Sequence, residues 1–326
     1  MKLFKKILKV LIITIFLGIF SITGLYLYAK TRPKLDINSN GSYYLYNIND
    51  ELFFQGNGTS KWANLNNISK YVKEATIVIE DKDFYSHHGF DILRIMKAMY
   101  VNLVNKNYKQ GASTITQQFA KNLYLDFDKT WERKLNEVWY TVQIETHYKK
   151  DEILEGYLNC INYGHGMFGI ENASNFYFNK SANNLSLAEA SMLVGIPKSP
   201  SNYSPLVNIN VAKKRQKYIL NVMLENNIIN KSEYEEAINE ELKFYGKKES
   251  INLNTLMYYQ DAVMKELKSI DNISSYLENG GIKIYTNLDI KAQSSLENSI
   301  NKEITDNKDI QVSGIMINPN NGGIIG

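Results

Sequence analysis

Four carboxylates and two histidines lie close together between residues 80 and 91, in the segment EDKDFYSHHGFD. A metal site is one interpretation, but His87 and His88 are adjacent and cannot share a helix face as the ligands of an H-E-x-x-H pattern do. A solvated acidic turn is a second interpretation. A general base is the third, because a carboxylate that is partly desolvated at the end of an apolar helix binds a proton more readily. Glu80 has that position, directly after the run TIVI.

A second group of charged side chains lies in RKLNE, residues 133–137. Helical spacing puts Arg133 and Lys134 within reach of Glu137, at i, i+4 and i, i+3. The pattern alone favours an ordinary ion-pair stripe on a helix surface. The alternative is a cationic site for a phosphate-bearing leaving group, since charge-assisted donors stabilise developing negative charge.

The segment GASTITQQFAKN, residues 111–122, brings hydroxyl, amide and ammonium groups to the start of a helix. Ser113 or Thr114 can cap this helix, and the unpaired N–H groups of a helix N-terminus attract anions. Gln117 and Lys121 are four residues apart and therefore share one helix face. By itself this pattern is a weak indication of an anion site.

Helices must position these segments, because apolar residues recur with helical spacing from Ser69 to about residue 245. One predicted helix ends at Glu80. The next follows Asp91, which can cap it, and carries an unusually wide apolar face as far as Val104. This width leaves two interpretations, ordinary core packing or insertion into the outer leaflet of a membrane.

Further helices follow along the chain. Thr130 can cap a long helix whose apolar side chains, Leu135, Val138 and Trp139 among them, are predicted to face the core. Ser186 and the residue three positions later, Glu189, have the spacing of a capping box.

The segments before and after the helical region contain strand-like sequence patterns. SYYLYN, residues 42–47, predicts a short strand before the helices. After them, GIKIYTNL alternates like a strand, IKAQSSLENSINKEI predicts a helix, and VSGIMINPNNGGIIG predicts strand, turn and strand. The chain is therefore expected to be mainly α, with a short α/β C-terminal segment.

Residues 7–29 are strongly apolar and carry a single charge, at Lys9. From Val10 to Ala29 the uncharged run is long enough to cross a bilayer core at about 1.5 Å per residue. A cleaved signal peptide is the alternative, but no A-x-A-like site follows the run, which is also long for a signal sequence. We therefore expect a single-pass membrane anchor and a catalytic region outside the cytoplasm.

Net charge and cysteine content bear on the possible partners and on disulfide bonding. The net charge of +3 is too balanced for nucleic acid to be the main partner. Cys160 is the only cysteine, so no internal disulfide can form, and its apolar helical surroundings indicate a small core residue.

Taken together, these segments resemble glycosyltransferase family 51, the peptidoglycan glycosyltransferase domain of class A penicillin-binding proteins. Five motifs of that family occur in the family's order over about 125 residues, and no motif position departs from the pattern. They are EDKDFYSHHG (80–89), GASTITQQFAKN (111–122), RKLNE (133–137), ILEGYLNCINYGHGMFGI (153–170) and LAEASMLVGIPKSPSNYSP (187–205).

The resemblance implies a lysozyme-like helical domain that polymerises lipid II into β-1,4-linked glycan. The reaction inverts the anomeric carbon and releases undecaprenyl diphosphate. By motif position, Glu80 would be the general base on the 4-hydroxyl of the acceptor sugar. Glu137 would be the second catalytic carboxylate, held by Arg133 on the donor side.

The resemblance also implies a binding set for lipid II and the growing glycan strand. Its cations would stabilise the departing diphosphate, and its hydroxyl and amide groups would position sugar or phosphate oxygens. The set comprises Ser113, Thr114, Gln117, Gln118, Lys121, Asn122, Arg133 and Lys134. Asp81, Phe84 and His87 would form the framework of the first motif. A divalent cation, magnesium or manganese, is a candidate cofactor, although the sequence shows no ligand set for it.

Four parts are expected along the chain. These are a cytoplasmic tip and transmembrane anchor (1–29), a polar connector (30–67), the peptidoglycan glycosyltransferase domain (68–245), and a linker with the truncated start of a transpeptidase domain (246–326). GIKIYTNLDIKAQ and GIMINPNNGGIIG resemble that linker and the first transpeptidase strands. No S-x-x-K, S-x-N or K-T-G signature follows them, so no transpeptidase activity is expected of this chain, and we expect a longer gene product.

Two other functions remain as alternatives. A lytic muramidase would share the fold and one glutamate, but it would not need the cations of RKLNE and QQFAKN. A non-catalytic wall-binding module would not need both Glu80 and Glu137, and both are present. Other cell wall synthesis proteins are candidate partners.

Overall fold

The computed structural model describes residues 20, 22–35, 37, 43–55, 62–105, 111–124, 131–165, 167–246, 256–270, 282–303 and 312–326. The helices are α1 (Lys70–Glu80), α2 (Ile92–Asn105), α3 (Ile115–Tyr124), α4 (Trp131–His147), α5 (Lys150–Cys160), α6 (Ile170–Phe178), α7 (Leu187–Gly195), α8 (Pro200–Tyr203), α9 (Ile209–Glu225), α10 (Lys231–Asn239), α11 (Leu256–Lys268) and α12 (Ile290–Glu303). The strands are β1 (Tyr43–Tyr46), β2 (Leu52–Gln55) and β3 (Ile282–Tyr285). The expectation of a mainly helical chain is confirmed.

The chain divides into two compact units, and the first comprises Met1–Ile37 with Glu80–Tyr157. Its core joins α3 to α4, and Phe119 and Ile144 are fully buried there. Gly156 on α5 lies against the Phe119 ring, where an added Cβ would be 2.3 Å from Cζ. Only glycine permits so close an approach between this helix backbone and an aromatic ring.

The second unit comprises Asn38–Ile79 with Leu158–Gly326. Its three-stranded sheet has the order β2-β1-β3, with β1 antiparallel to β2 and parallel to β3. Helix α7 packs against α9 and is buried along its whole length, as its almost entirely apolar sequence requires. Ser186 and Glu189 form the predicted capping box at the start of α7.

Several local predictions can be compared with the structure. Asp91 caps α2, since its Oδ1 accepts the backbone N–H of Arg94 at 2.8 Å. The strands predicted in SYYLYN and GIKIYTNL are β1 and β3. The predicted C-terminal strand–turn–strand is present as a short antiparallel pairing around the Ile317–Ile324 bridge, in which Met316 exchanges backbone hydrogen bonds with Ile325 and Gly326. Thr130, predicted as a cap, lies outside the described residues.

The predicted transmembrane anchor falls mostly on residues 1–19 and 21, which are outside the described residues. Residues 22–30 are helical. Within the ranges that the structure describes, no helix combines the length and the apolar character needed to cross a membrane. Cys160 is buried, as its sequence context predicted.

Candidate active site

Glu80 is the last residue of α1, and its carboxylate contacts a glutamine on α3. The side-chain amide of Gln118 donates from Nε2 to Glu80 Oε2 at 2.8 Å. The hydroxyl of Tyr157, on α5, donates to the Oε1 atom of the same glutamine at 3.1 Å. Glu80 is half-buried, so it combines partial desolvation with access from outside. Those are the properties required of a general base.

Asp81 follows Glu80 and is fully buried. Both of its carboxylate oxygens lie 3.0 Å from His87 Nε2, and Oδ2 accepts the backbone N–H of Ile115 at 3.0 Å. Arg94 on α2 lies 3.8 Å from Oδ1 and donates to the backbone oxygen of Glu80. Asp81 therefore connects the loop of the first motif with α2 and with the start of α3. Because Asp81 follows Glu80 directly in the sequence, these contacts also hold Glu80 in place.

Glu137 on α4 is only 3% exposed and is surrounded by donors. Arg133 lies 3.3 Å from Oε2, Lys134 forms an ion pair with Oε1, and Gln117 Nε2 donates to Oε1 at 3.3 Å. Two cations and an amide thus compensate the cost of burying this carboxylate. The contacts of Arg133 and Lys134 with Glu137 are those that helical spacing predicted.

The orientation of α4 differs from the prediction. Leu135, expected to face the core, is 69% exposed, and Trp131 is also exposed, whereas Glu137 and Thr141 are buried. The polar face of α4 turns inward because Gln117 on α3 offers it a partner, so the segment is not a surface ion-pair stripe.

The start of α3 is fixed by Thr114, which is fully buried. Its hydroxyl donates to the backbone oxygen of Gly89 at 2.7 Å and accepts the N–H of Gln117 at 3.2 Å. Gly89 has φ +86°, and a Cβ there would be 2.8 Å from Thr141 Cγ2, so this turn of the first motif requires glycine.

The other predicted binding residues lie nearer the surface. Ser113 is half-buried before α3, and Lys121 and Asn122 are exposed one turn beyond the two glutamines. The structure thus brings Gln117, Gln118, Arg133 and Lys134 to the two carboxylates, and leaves Lys121 and Asn122 accessible on the same helix.

A third buried carboxylate was not found from the sequence. The Glu145 side chain is 2% exposed, pairs with Lys150 at 2.7 Å and accepts a hydrogen bond from Thr116. Its Cγ would lie 3.0 Å from a Cβ at Gly89. The partners belong to α3, α5 and a loop, so no spacing rule within one helix could have indicated them.

Glu80 and Glu137 have environments that suit different tasks. Glu80 contacts a neutral amide and is accessible from outside. Glu137 lies between two cations, which can also attract a negatively charged leaving group. In the described part of the chain, no group of three or more His, Cys, Asp or Glu side chains is arranged to hold a metal ion.

Comparison with known proteins identifies the family of the chain. The sequence profile described as "Transglycosylase" matches residues 49–224, more than half of the chain. The chain belongs to the transglycosylase family. The resemblance to glycosyltransferase family 51, drawn from five motifs, is thereby confirmed.

The curated relatives of this transglycosylase include several penicillin-binding proteins. It is 44% identical to penicillin-binding protein 2D of Bacillus subtilis over 81% of its own length and 38% of the relative's. It is 37% identical to penicillin-binding protein 1A of Neisseria gonorrhoeae over 84% of its length and 35% of the relative's. Penicillin-binding protein 1F of B. subtilis matches 99% of the chain at 36% identity, over 46% of the relative's length. The chain therefore spans less than half of each of these relatives.

A crystal structure of penicillin-binding protein 1A from Haemophilus influenzae covers 84% of the transglycosylase chain and 32% of its own. The TM-score is 0.37 at 18% identity, which is too low to compare the two folds in detail.

Proposed function

We propose that the chain is an inverting peptidoglycan glycosyltransferase that polymerises lipid II into β-1,4-linked glycan strands, with release of undecaprenyl diphosphate. Membership of the transglycosylase family supports the reaction class. The observation that carries the proposal is the difference between its two carboxylates. Glu137 is buried between Arg133 and Lys134, whereas the Glu80 side chain accepts a hydrogen bond from the neutral amide of Gln118.

In the proposed step, Glu80 removes the proton from the 4-hydroxyl of the acceptor sugar while that oxygen attacks the anomeric carbon of the donor. A new carbon–oxygen bond forms on one face as the bond to the diphosphate oxygen breaks on the other. The proton stays on Glu80, and the electron pair leaves with the diphosphate. General-base catalysis of this kind contributes about 10² to 10⁴-fold to a rate.

The leaving diphosphate needs positive charge. Arg133 and Lys134 are proposed to supply it beside Glu137, and Lys121 from the exposed end of α3. Ser113, Thr114, Gln117, Gln118 and Asn122 are proposed to position sugar and phosphate oxygens. Asn122 and Lys121 are exposed and therefore reachable, and the buried Thr114 would act by holding the start of α3.

The proposed setting is the outer face of a cell membrane. Residues 1–29 would form the cytoplasmic tip and the single-pass anchor, 30–67 a connector, 68–245 the glycosyltransferase domain, and 246–326 a linker and the start of a transpeptidase domain. An anchored enzyme fits a substrate whose lipid chain lies in the bilayer. Other cell wall synthesis proteins are proposed partners.

Polymerisation of purified lipid II by the detergent-solubilised chain tests the proposal. Glycan strands are expected from the parent, and Glu80→Gln should reduce the rate by about 10² to 10⁴-fold. Glu236→Gln, the same change at an exposed site on α10, is the control and should leave the rate unchanged.

Two results would contradict the proposal in different ways. Shortening of preformed glycan with lipid II left unused would establish the lytic alternative. Full activity in Glu80→Gln would keep the family reaction and move the base elsewhere, with Glu137 the next candidate.

A further inference from the structure

One side-chain amide, that of Gln118, connects Glu80 with Tyr157. Nε2 donates to Glu80 Oε2 at 2.8 Å, and Oε1 accepts from the Tyr157 hydroxyl at 3.1 Å. A carboxylate can only accept hydrogen bonds, so the NH₂ group of the amide must face Glu80. The amide oxygen must then face Tyr157, and the tyrosine hydroxyl must be the donor. These two contacts leave the amide a single favourable orientation.

The Gln117 amide, next along α3, is held in the same manner. Its Oε1 accepts the backbone N–H of Thr114 at 3.1 Å, and its Nε2 donates to Glu137 Oε1 at 3.3 Å. Each of the two carboxylates is thus served by an amide whose oxygen is occupied by another donor. A backbone group orients Gln117, whereas Gln118 depends on a side chain from a different helix.

Tyr157 is well placed for this task. It is 2% exposed, so bulk water does not compete for its hydroxyl. Its neighbour Gly156 brings the α5 backbone into contact with Phe119, which follows Gln118 on α3. The glycine–phenylalanine contact therefore sets the separation of the two helices at the point where Tyr157 reaches Gln118.

The geometry points to Tyr157 as a positioning residue for the general base: by fixing the amide of Gln118, it keeps an N–H donor on Glu80. This inference rests on the proposed role of Glu80. Without the tyrosine hydroxyl, Glu80 is the one group of this pair that still favours the orientation, so the amide of Gln118 spends more of its time rotated by half a turn. Its oxygen would then oppose the carboxylate, which disfavours the unprotonated form that a base requires.

Other charged groups near Glu80 remain the same when Tyr157 is changed. They are Asp81 and His87 in the loop after α1, and Arg94 on α2, which contacts both Asp81 and the backbone oxygen of Glu80. From α3 the contact is the neutral amide of Gln118, and Tyr157 on α5 donates to the other end of that amide. A change in pH dependence in a Tyr157 variant therefore reports on the amide.

The test compares Tyr157→Phe with the parent chain in lipid II polymerisation, measuring kcat and KM from pH 5 to 9. We expect kcat near neutral pH to fall about tenfold. The acidic limb of the plot of kcat against pH should move about 0.5 to 1 unit toward higher pH. KM for lipid II should change less than kcat, since Tyr157 is buried behind Gln118 and does not itself meet the substrate.

Tyr177→Phe is the matched control, because Tyr177 is a fully buried tyrosine whose hydroxyl donates to a backbone oxygen at 2.8 Å. Tyr177→Phe should lose a similar amount of stability and keep the parent pH profile.

A double variant tests whether Tyr157 acts through Gln118. In a Gln118→Ala background, Tyr157→Phe should change kcat by less than about twofold, since the amide that Tyr157 orients is gone.

Superimposable pH profiles for Tyr157→Phe and the parent, with Glu80→Gln inactive, would overturn this inference and leave the proposed base intact. An equal kcat loss in Tyr177→Phe, or full additivity with Gln118→Ala, would also overturn it. Full activity in Glu80→Gln, or no polymerisation by the parent, would overturn the proposed function and this inference together.

Discussion

At the scale of single residues, the site depends on two consecutive glutamines. Gln117 and Gln118 leave α3 in directions about 100° apart, so each reaches a different carboxylate. A charged residue at either position would either repel its glutamate or neutralise it. At Glu80, a neutral amide donates to the carboxylate without pairing its charge, which suits the proposed base.

The charge around Glu137 gives a prediction at this scale. Arg133→Met should lower kcat by about 10²-fold, because it removes a donor from a buried carboxylate and positive charge from the leaving-group side. Arg133→Lys should retain more activity than Arg133→Met, although it loses the fork geometry of the guanidinium. Both rates are measured by lipid II polymerisation.

Lys213→Met is a suitable control, because Lys213 is an exposed cation on α9. Its rate should equal that of the parent. Equal losses in Arg133→Lys and Arg133→Met would show that charge at position 133 is not what the reaction uses.

The sequence predicted contacts within one helix better than contacts between helices. The pairing of Arg133 and Lys134 with Glu137 follows from i, i+3 and i, i+4 spacing, and both pairs are present. The inward orientation of Leu135 was predicted wrongly, because Glu137 on the same helix finds its partner Gln117 on another helix. Glu145 was missed for the same reason, since Thr116 and Lys150 lie on other elements.

At the scale of elements, Glu145 joins α4 to α3 and to the start of α5. Glu145→Gln should lower the free energy of unfolding by about 2 to 3 kcal/mol, because Lys150 loses the anion that compensates its partial burial. Urea unfolding followed by circular dichroism measures the change, and Glu236→Gln should remain within about 0.5 kcal/mol of the parent.

A double variant separates loss of the ion pair from a general loss of packing. Glu145→Leu combined with Lys150→Met removes both charges, and it should be more stable than Glu145→Gln alone. If the double variant is less stable than the single one, the ion pair is not the source of the effect.

Elements whose signals are local, helix caps and the C-terminal strand–turn–strand among them, were predicted from the sequence. The caps at Asp91 and Ser186 lie within three residues of the N–H groups they satisfy, so the sequence contains all the information. The strand–turn–strand before Gly326 pairs two short segments that are close in sequence, and Ile317 and Ile324 face each other at its centre.

At the scale of the whole molecule, α2 presents an apolar surface outward. Leu93 is 80% exposed, and Met96, Met99, Tyr100 and Val104 are also exposed. Lys97 is exposed on the same helix, whereas Arg94 turns inward to Asp81 and to the backbone oxygen of Glu80. We expect a helix with such an exposed apolar face to lie at the surface of a bilayer. The alternative of plain core packing does not apply to these exposed side chains.

A fluorescent probe can test membrane contact of α2. The full chain carrying Leu93→Cys is labelled with an environment-sensitive dye and reconstituted into vesicles. The native Cys160 is buried and should label poorly. Emission from position 93 should shift to the blue and be quenched by quenchers attached to lipid chains, because the helix face enters the acyl boundary.

Ile315→Cys is the matched control, because Ile315 is also an exposed apolar side chain but belongs to the C-terminal segment. A dye at position 315 should give the emission expected in water. If both positions give the same spectrum and the same quenching, α2 does not enter the bilayer.

The parallel pairing of β1 with β3 has a consequence for synthesis of the chain. Tyr43 pairs with Ile282, about 240 positions later. A ribosome adding about 5 to 20 residues per second produces β3 roughly 10 to 50 s after β1. During that interval β1 has only β2 beside it, and an isolated two-stranded pair is marginal in water. The central strand of this sheet is therefore the first of its strands to be made, and it waits longest for its final partner.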